Sequence, residues 1–295
     1  MHYRAHDAFI APARPRSEVW RLCLGLVMMM VIVFGLGWAV QAMTMAILDD
    51  QSYTDFQSAV SSARNPVGAL YLLFSLGLLI VAAAMVANQL HRRGLFSLIG
   101  PLPRATRQFT KVLAYLAALY AAFWILPPSE IPLPLERGMP MLTWLQLLPL
   151  SLLAVLIQTS AEEIVFRGYL QQQLAARFNH AVVWIAGPAV LFAALHYRPD
   201  IGPAAWVFML WAGLFSVVAS DLTARAGTLG PAIALHFASN TTAILLVSGD
   251  PELTGLALWR LRIDMSDPSV LWPLMSIDLG MLAVAWLVAR LALRR

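Results

Sequence analysis

The sequence predicts an all-α polytopic membrane protein of about eight transmembrane helices, with a polar site inside the membrane. Three observations predict it. Hydrophobic residues fill 60% of the 295 positions and charged residues only 12%, whereas a soluble domain carries about a quarter charged. The apolar residues fall in runs of membrane-crossing length, about 20 residues for a helix. The basic residues sit mostly in the short stretches between those runs, as the positive-inside bias requires.

The same observations exclude other classes. A net charge of +4 and a pI near 9.6 would suit a nucleic-acid binder, but the basic residues are scattered through short loops, so no nucleic-acid partner is expected. One cysteine, Cys23, leaves no disulfide framework and no Cys-rich metal site. Its apolar surroundings predict plain packing. No long polar linker divides the chain. Residues 1–20 are therefore expected as a cytoplasmic tail and 21–292 as a single transmembrane domain in a lipid bilayer.

The expected spans are 21–44, 67–89, 109–126, 141–177, 181–197, 204–225, 230–248 and 270–292. The first, VWRLCLGLVMMMVIVFGLGWAVQAM, is longer than a signal-peptide core and has no small-residue cleavage site, so it is read as retained. Its methionines are expected to face lipid. The fourth is too long for lipid alone, and its polar end, RGYLQQQLAARF, is expected to project into the interface or beyond. The seventh starts behind Gly230 and Pro231, a favourable first helical turn. Within the sixth, Asp221 is expected to cap or to pair with Arg225. The eighth holds Asp278 several turns inside an apolar run, where a buried polar partner is expected.

Arginines 4, 14, 16 and 21, the 90–111 stretch (Arg92, Arg93, Arg104, Arg107, Lys111) and the C-terminal Arg290, Arg294 and Arg295 would lie inside. Asp49, Asp50, Asp55, Glu130, Glu136, Asp250, Glu252 and the loop PPSEIPLPLERGMP would lie outside. Nineteen arginines to one lysine suit a GC-rich bacterial genome, and with it the inner (plasma) membrane.

Ionisable side chains are costly inside a membrane and mark function. Three groups qualify: Glu162, Glu163 and Arg167; Phe192 and His196; His236 and Asn240. Glu163 and Arg167 are four apart with the acid first, the favourable order for a helical ion pair. Glu162 points about 100° away around the helix, so one acid is neutralised while its neighbour faces a site. Phe192 and His196, like His236 and Asn240, share a face at the same spacing. Helices four and five turn near Asn179 and His180, with Glu162 and His196 each 17 residues from Asn179. At about 1.5 Å per residue the two are expected level, roughly 25 Å from the turn.

A carboxylate in low dielectric suits general-base activation of water. Glutamate and histidine also suit Zn²⁺, and a second imidazole with an amide suits an oxyanion. The set reads as peptide-bond hydrolysis. There is no H-E-x-x-H and no paired-aspartate G-x-G-D.

Glu162-Glu163-x-x-x-Arg167, Phe192-x-x-x-His196 and His236-x-x-x-Asn240, in that order on successive helices, resemble the CAAX protease and bacteriocin-processing (CPBP, or Abi) family of intramembrane proteases. Its relatives are the type II CAAX prenyl endopeptidases. The resemblance centres on about 141–248. It implies a glutamate- or metal-dependent endopeptidase acting on a membrane-associated, prenylated or leader peptide. Glu162 and His196 would hold the catalytic water, His236 and Asn240 the oxyanion, with Glu163, Arg167 and Phe192 supporting. The chemistry would run either with Zn²⁺ or another divalent metal on Glu162, His196 and His236, or without metal. The rival readings are a non-proteolytic scaffold or immunity protein binding peptide in the same pocket, and a proton-coupled transporter.

Overall fold

The computed structural model describes residues 3–125, 134–202, 204–249, 253–262 and 267–294. The helices are α1 (Arg4–Ile10), α2 (Val19–Ile47), α3 (Asp50–Ser62), α4 (Pro66–Ser75), α5 (Gly77–His91), α6 (Phe96–Ile99), α7 (Leu102–Ile125), α8 (Met141–Glu163), α9 (Gln172–Arg177), α10 (Ala181–Leu195), α11 (Ala204–Ala226), α12 (Gly230–Asn240) and α13 (Pro268–Leu293). Two π-wound segments, Ile164–Gln171 and Thr241–Leu246, continue α8 and α12. Three short strands, β1 (Leu135–Arg137), β2 (Val247–Ser248) and β3 (Trp259–Leu261), form a small sheet in the order β1-β3-β2. Glu130, Asp250, Glu252, Arg295 and half of the expected Pro-rich loop lie outside the described residues.

The all-α expectation holds, and the count of eight spans is not confirmed. Among the described residues five helices are long and apolar enough to cross a membrane: Val19–Ile47, Pro66–His91, Met141–Arg177, Ala204–Ala226 and Ser269–Leu293. The other three expected spans fall short for separate reasons. α10 has 15 residues, about 22 Å of rise against a hydrocarbon core of about 30 Å. α12 stops after 11 residues and gives way to the π segment and a strand. α7 begins earlier than expected and carries Arg104, Arg107 and Lys111 in its first half.

Local chemistry starts several elements. Asn65 accepts from the Gly68 amide ahead of Pro66, Asp49 accepts from Ser52, and Asp267 accepts from Ser269, each satisfying a first-turn amide. The main core packs Phe192, Phe215, Leu222, Leu235 and Tyr169 between the site-bearing helices. Outward, α2 leaves Phe34 74% and Trp38 72% exposed, apolar surface that suits lipid. Met30 is exposed as expected, while Met29 is in the core. Cys23 is exposed instead of packed, and Asp278 also keeps an exposed surface on α13.

The basic stretches gather at one end of the bundle. Arg16 and Arg21 both donate to the Leu90 carbonyl, Arg93 donates to Gln172 and Arg104 to the Ala226 carbonyl. Asp221 accepts from Arg225, as expected, and also from Tyr3 and Trp286. The polar end of the fourth span meets protein here. Gln171, Gln172 and Gln173 are buried, with Gln171 donating to the Ser220 carbonyl and Gln172 to that of Ser97. The expected projection toward water is thus capped by the N-terminal segment and the 91–99 stretch.

Close approach explains Gly230. A Cβ there would lie 2.2 Å from the Ala105 carbonyl oxygen of α7, and a backbone atom cannot rotate away. Gly230→Val is expected to cost about 1–3 kcal/mol by overpacking, read as a lower Tm of the detergent-purified protein.

The N-terminal helix is held by His6, buried against Trp184 with ring centroids 4.6 Å apart. Burial pushes its pKa down to about 4, partly offset by the charge of Asp7. An undocked His6 titrates near 6.5, so between these values the undocked state binds more protons. Docking is complete above about pH 6.5 and loses up to about 3 kcal/mol as pH falls through 4. Amide exchange of residues 4–10 should quicken over that window, and His6→Phe should flatten the dependence.

Candidate active site

The last turns of α8 present Gln158, Glu162 and Glu163, and the chain then widens into the π segment carrying Arg167. Such π winding occurs often at functional sites. The expected division between the two acids holds in burial. Glu163 and Arg167 are fully buried and paired at 3.0 Å, while the Glu162 side chain keeps 17% of its surface exposed. Three rings surround the guanidinium, with centroids of Phe192, Phe215 and Phe166 at 5.0, 5.8 and 5.9 Å, a desolvated cation–π setting.

α12 brings His236 against both acids. Its Nδ1 lies 2.8 Å from Glu163 Oε1, and its Nε2 lies 3.7 Å from Glu162 Oε2. The first distance is a hydrogen bond. The second is too long for one and too short to hold a water between the two atoms, so a water touching both would have to lie beside the pair. Glu163 therefore has a second contact beyond its ion pair: it orients an imidazole 73 residues away in the chain. That link between helices carries no periodic signal.

Asn240 follows one turn after His236 and donates from Nδ2 to Gln158 Oε1 at 2.9 Å. Gln158 in turn donates from Nε2 to Glu162 Oε1 at 2.6 Å. Gln158 was not among the expected site residues. The signal that could have found it is its position four residues before Glu162, on the same helical face.

His196 is placed differently from expectation. The turn between α9 and α10 falls at residues 178–180 as expected, and His196 ends α10 in an exposed position. Its Nδ1 bonds to the Phe192 carbonyl at 2.7 Å and its ring lies 4.4 Å from the Phe192 ring. The same phenyl ring lies 6.3 Å from His236. Phe192 thus separates the two imidazoles, and the histidine beside Glu162 is His236 rather than His196.

The ligand set expected for a metal is not assembled. Among the described residues no three His, Cys, Asp or Glu side chains are grouped so as to hold a metal ion. His236 Nδ1 is engaged by Glu163 and His196 Nδ1 by its own helix. Holding Nδ1 in this way leaves Nε2 of each imidazole as the nitrogen able to meet a metal, but Glu162, His196 and His236 are not grouped as one ligand set in this arrangement.

Residues 143–242 match the family described as type II CAAX prenyl endopeptidase Rce1-like. The Rce1-like stretch contains every residue of the cluster above, from Gln158 to Asn240, and the resemblance carried by the three motifs holds at the level of the family. The chain is also 24% identical over 262 residues to the uncharacterized protein YyaK of Bacillus subtilis (strain 168), covering 84% of this chain and 85% of that protein. No solved structure matches. The Rce1-like family is a protease family, and that match together with the apolar helices points to an integral membrane protein.

Proposed function

We propose that the protein is an intramembrane endopeptidase that hydrolyses a peptide bond of a membrane-associated substrate through water activated by Glu162. The observation that carries this reading is the polar gap of 3.7 Å between Glu162 Oε2 and His236 Nε2, beside a His236 held from behind by Glu163 at 2.8 Å. A water beside this pair, within hydrogen-bond reach of Glu162 Oε2, can give its proton to Glu162 as it attacks the substrate carbonyl. With Nδ1–H directed at Glu163, a His236 carrying both ring protons offers Nε2–H to the oxyanion. The second N–H of Asn240 serves the same oxygen. Glu162 returns the proton to the leaving amine.

His196, its Nδ1 engaged by Phe192, offers Nε2 from the exposed side and orients the water or the incoming peptide. The substrate would be a prenylated or leader peptide at the membrane. The gathering of basic residues at one bundle end supports termini on the cytoplasmic side of a bacterial inner membrane. The test is cleavage of membrane-associated peptides by purified protein, wild type against Glu162→Gln. Equal cleavage by both would rule the reading out, and full biological effect without cleavage would favour the scaffold.

A further inference from the structure

Gln158 is a buried amide, 5% exposed, inside an apolar helix. No motif includes it. Both ends of its amide are engaged by groups from different helices. Nε2 donates to Glu162 Oε1 at 2.6 Å on its own helix, and Oε1 accepts from Asn240 Nδ2 at 2.9 Å across to α12. The amide has one sensible orientation. Reversed, its carbonyl would face a carboxylate and its NH₂ would face the Asn240 NH₂, two repulsive contacts instead of two bonds.

We propose that Gln158 is a positioning residue that couples the base to the oxyanion donor. It fixes Glu162 Oε1, which leaves Oε2 turned toward His236. It also occupies one N–H of Asn240, which leaves the other for the oxyanion. Glu162 and Asn240 lie on separate helices, and no other side chain is seen to bridge them among the described residues. This inference rests on the proposed endopeptidase chemistry. A rearrangement of about 1 Å in such groups can cost about 100-fold in rate, so an amide that sets two of them is a sensitive point.

Gln158→Met keeps the length and volume of the side chain and removes both hydrogen bonds. In purified protein the expected result is kcat lower by about 10- to 100-fold with KM within about twofold. Loss confined to kcat separates positioning from substrate binding. The combination Gln158→Met with Asn240→Ala should lose clearly less than the product of the two single losses, because the bond between them is shared. A merely structural Gln158 would give multiplied losses.

Gln158→Glu serves as the second variant if the methionine protein does not fold, since it keeps size, polarity and the acceptor for Asn240. It replaces a donor to Glu162 by a second carboxylate, and low kcat is expected again. Wild-type kcat in either folded variant, or losses that multiply, would overturn the proposal. If Glu162→Gln is inactive while Gln158→Met is fully active, only the role of Gln158 falls. If Glu162→Gln cleaves like wild type, the endopeptidase reading falls and this inference with it.

Discussion

Glu162→Gln is expected to reduce peptide cleavage by about 10²- to 10⁴-fold, the range that a positioned general base supplies. The substitution preserves shape, and the hydrogen bond from Gln158 Nε2 can re-form to the oxygen of the new amide. What disappears is the acceptor for the proton of water. Stability should change little, because Glu162 is the less enclosed acid of the two, at 17% exposure against none for Glu163. The measurement is kcat/KM on a membrane-associated peptide alongside Tm in the same detergent. Loss of activity with unchanged Tm is the expected pair of results.

Arg167→Met should do the reverse and act first on stability. Removing one member of a buried ion pair leaves the other charge uncompensated, at about 3–5 kcal/mol. Here the remaining charge is Glu163, fully enclosed, with only His236 beside it. The three phenyl rings around the guanidinium would also lose their cation. A drop in Tm of many degrees, or failure to accumulate in membranes, is expected. Glu163→Gln together with Arg167→Met should recover part of the loss, because no lone charge then stays buried. A single variant with wild-type Tm would refute the structural account of this pair.

The parts of the site that were legible in advance are those written in helical spacing. Glu163 and Arg167 pair because they are four apart, and Glu162 is freer because it is one position round. The start of α12 at Gly230 and Pro231 and the turn before Ala181 were readable from local chemistry. The contact of His236 with Glu163 was not, since it depends on how two distant helices approach. Nor was the distance from Glu162 to His196 settled by equal residue counts, because equal rise says nothing about the direction of a side chain. Hydropathy likewise misjudged the spans. It registers apolar residues in α10 and α12, but it does not register that these helices are too short to cross. The burial of Gln171 to Gln173 escaped because their partners are distant in the chain: His91, Arg93 and Ser97 lie 75 to 82 positions away and Ser220 lies 49.

The small sheet has a mechanical consequence for this arrangement. β1 leads within a few residues into α8, and β2 follows directly from the π segment beyond Asn240, while β3 bonds to both. Trp144 adds a bond from α8 to the Leu245 carbonyl. The rods that bear Glu162 and Asn240 are therefore clasped together at their far ends, like the two arms of tweezers joined at the hinge. Sliding of one rod along the other is opposed, and a force on the clasp would be felt as a change of angle between the tips.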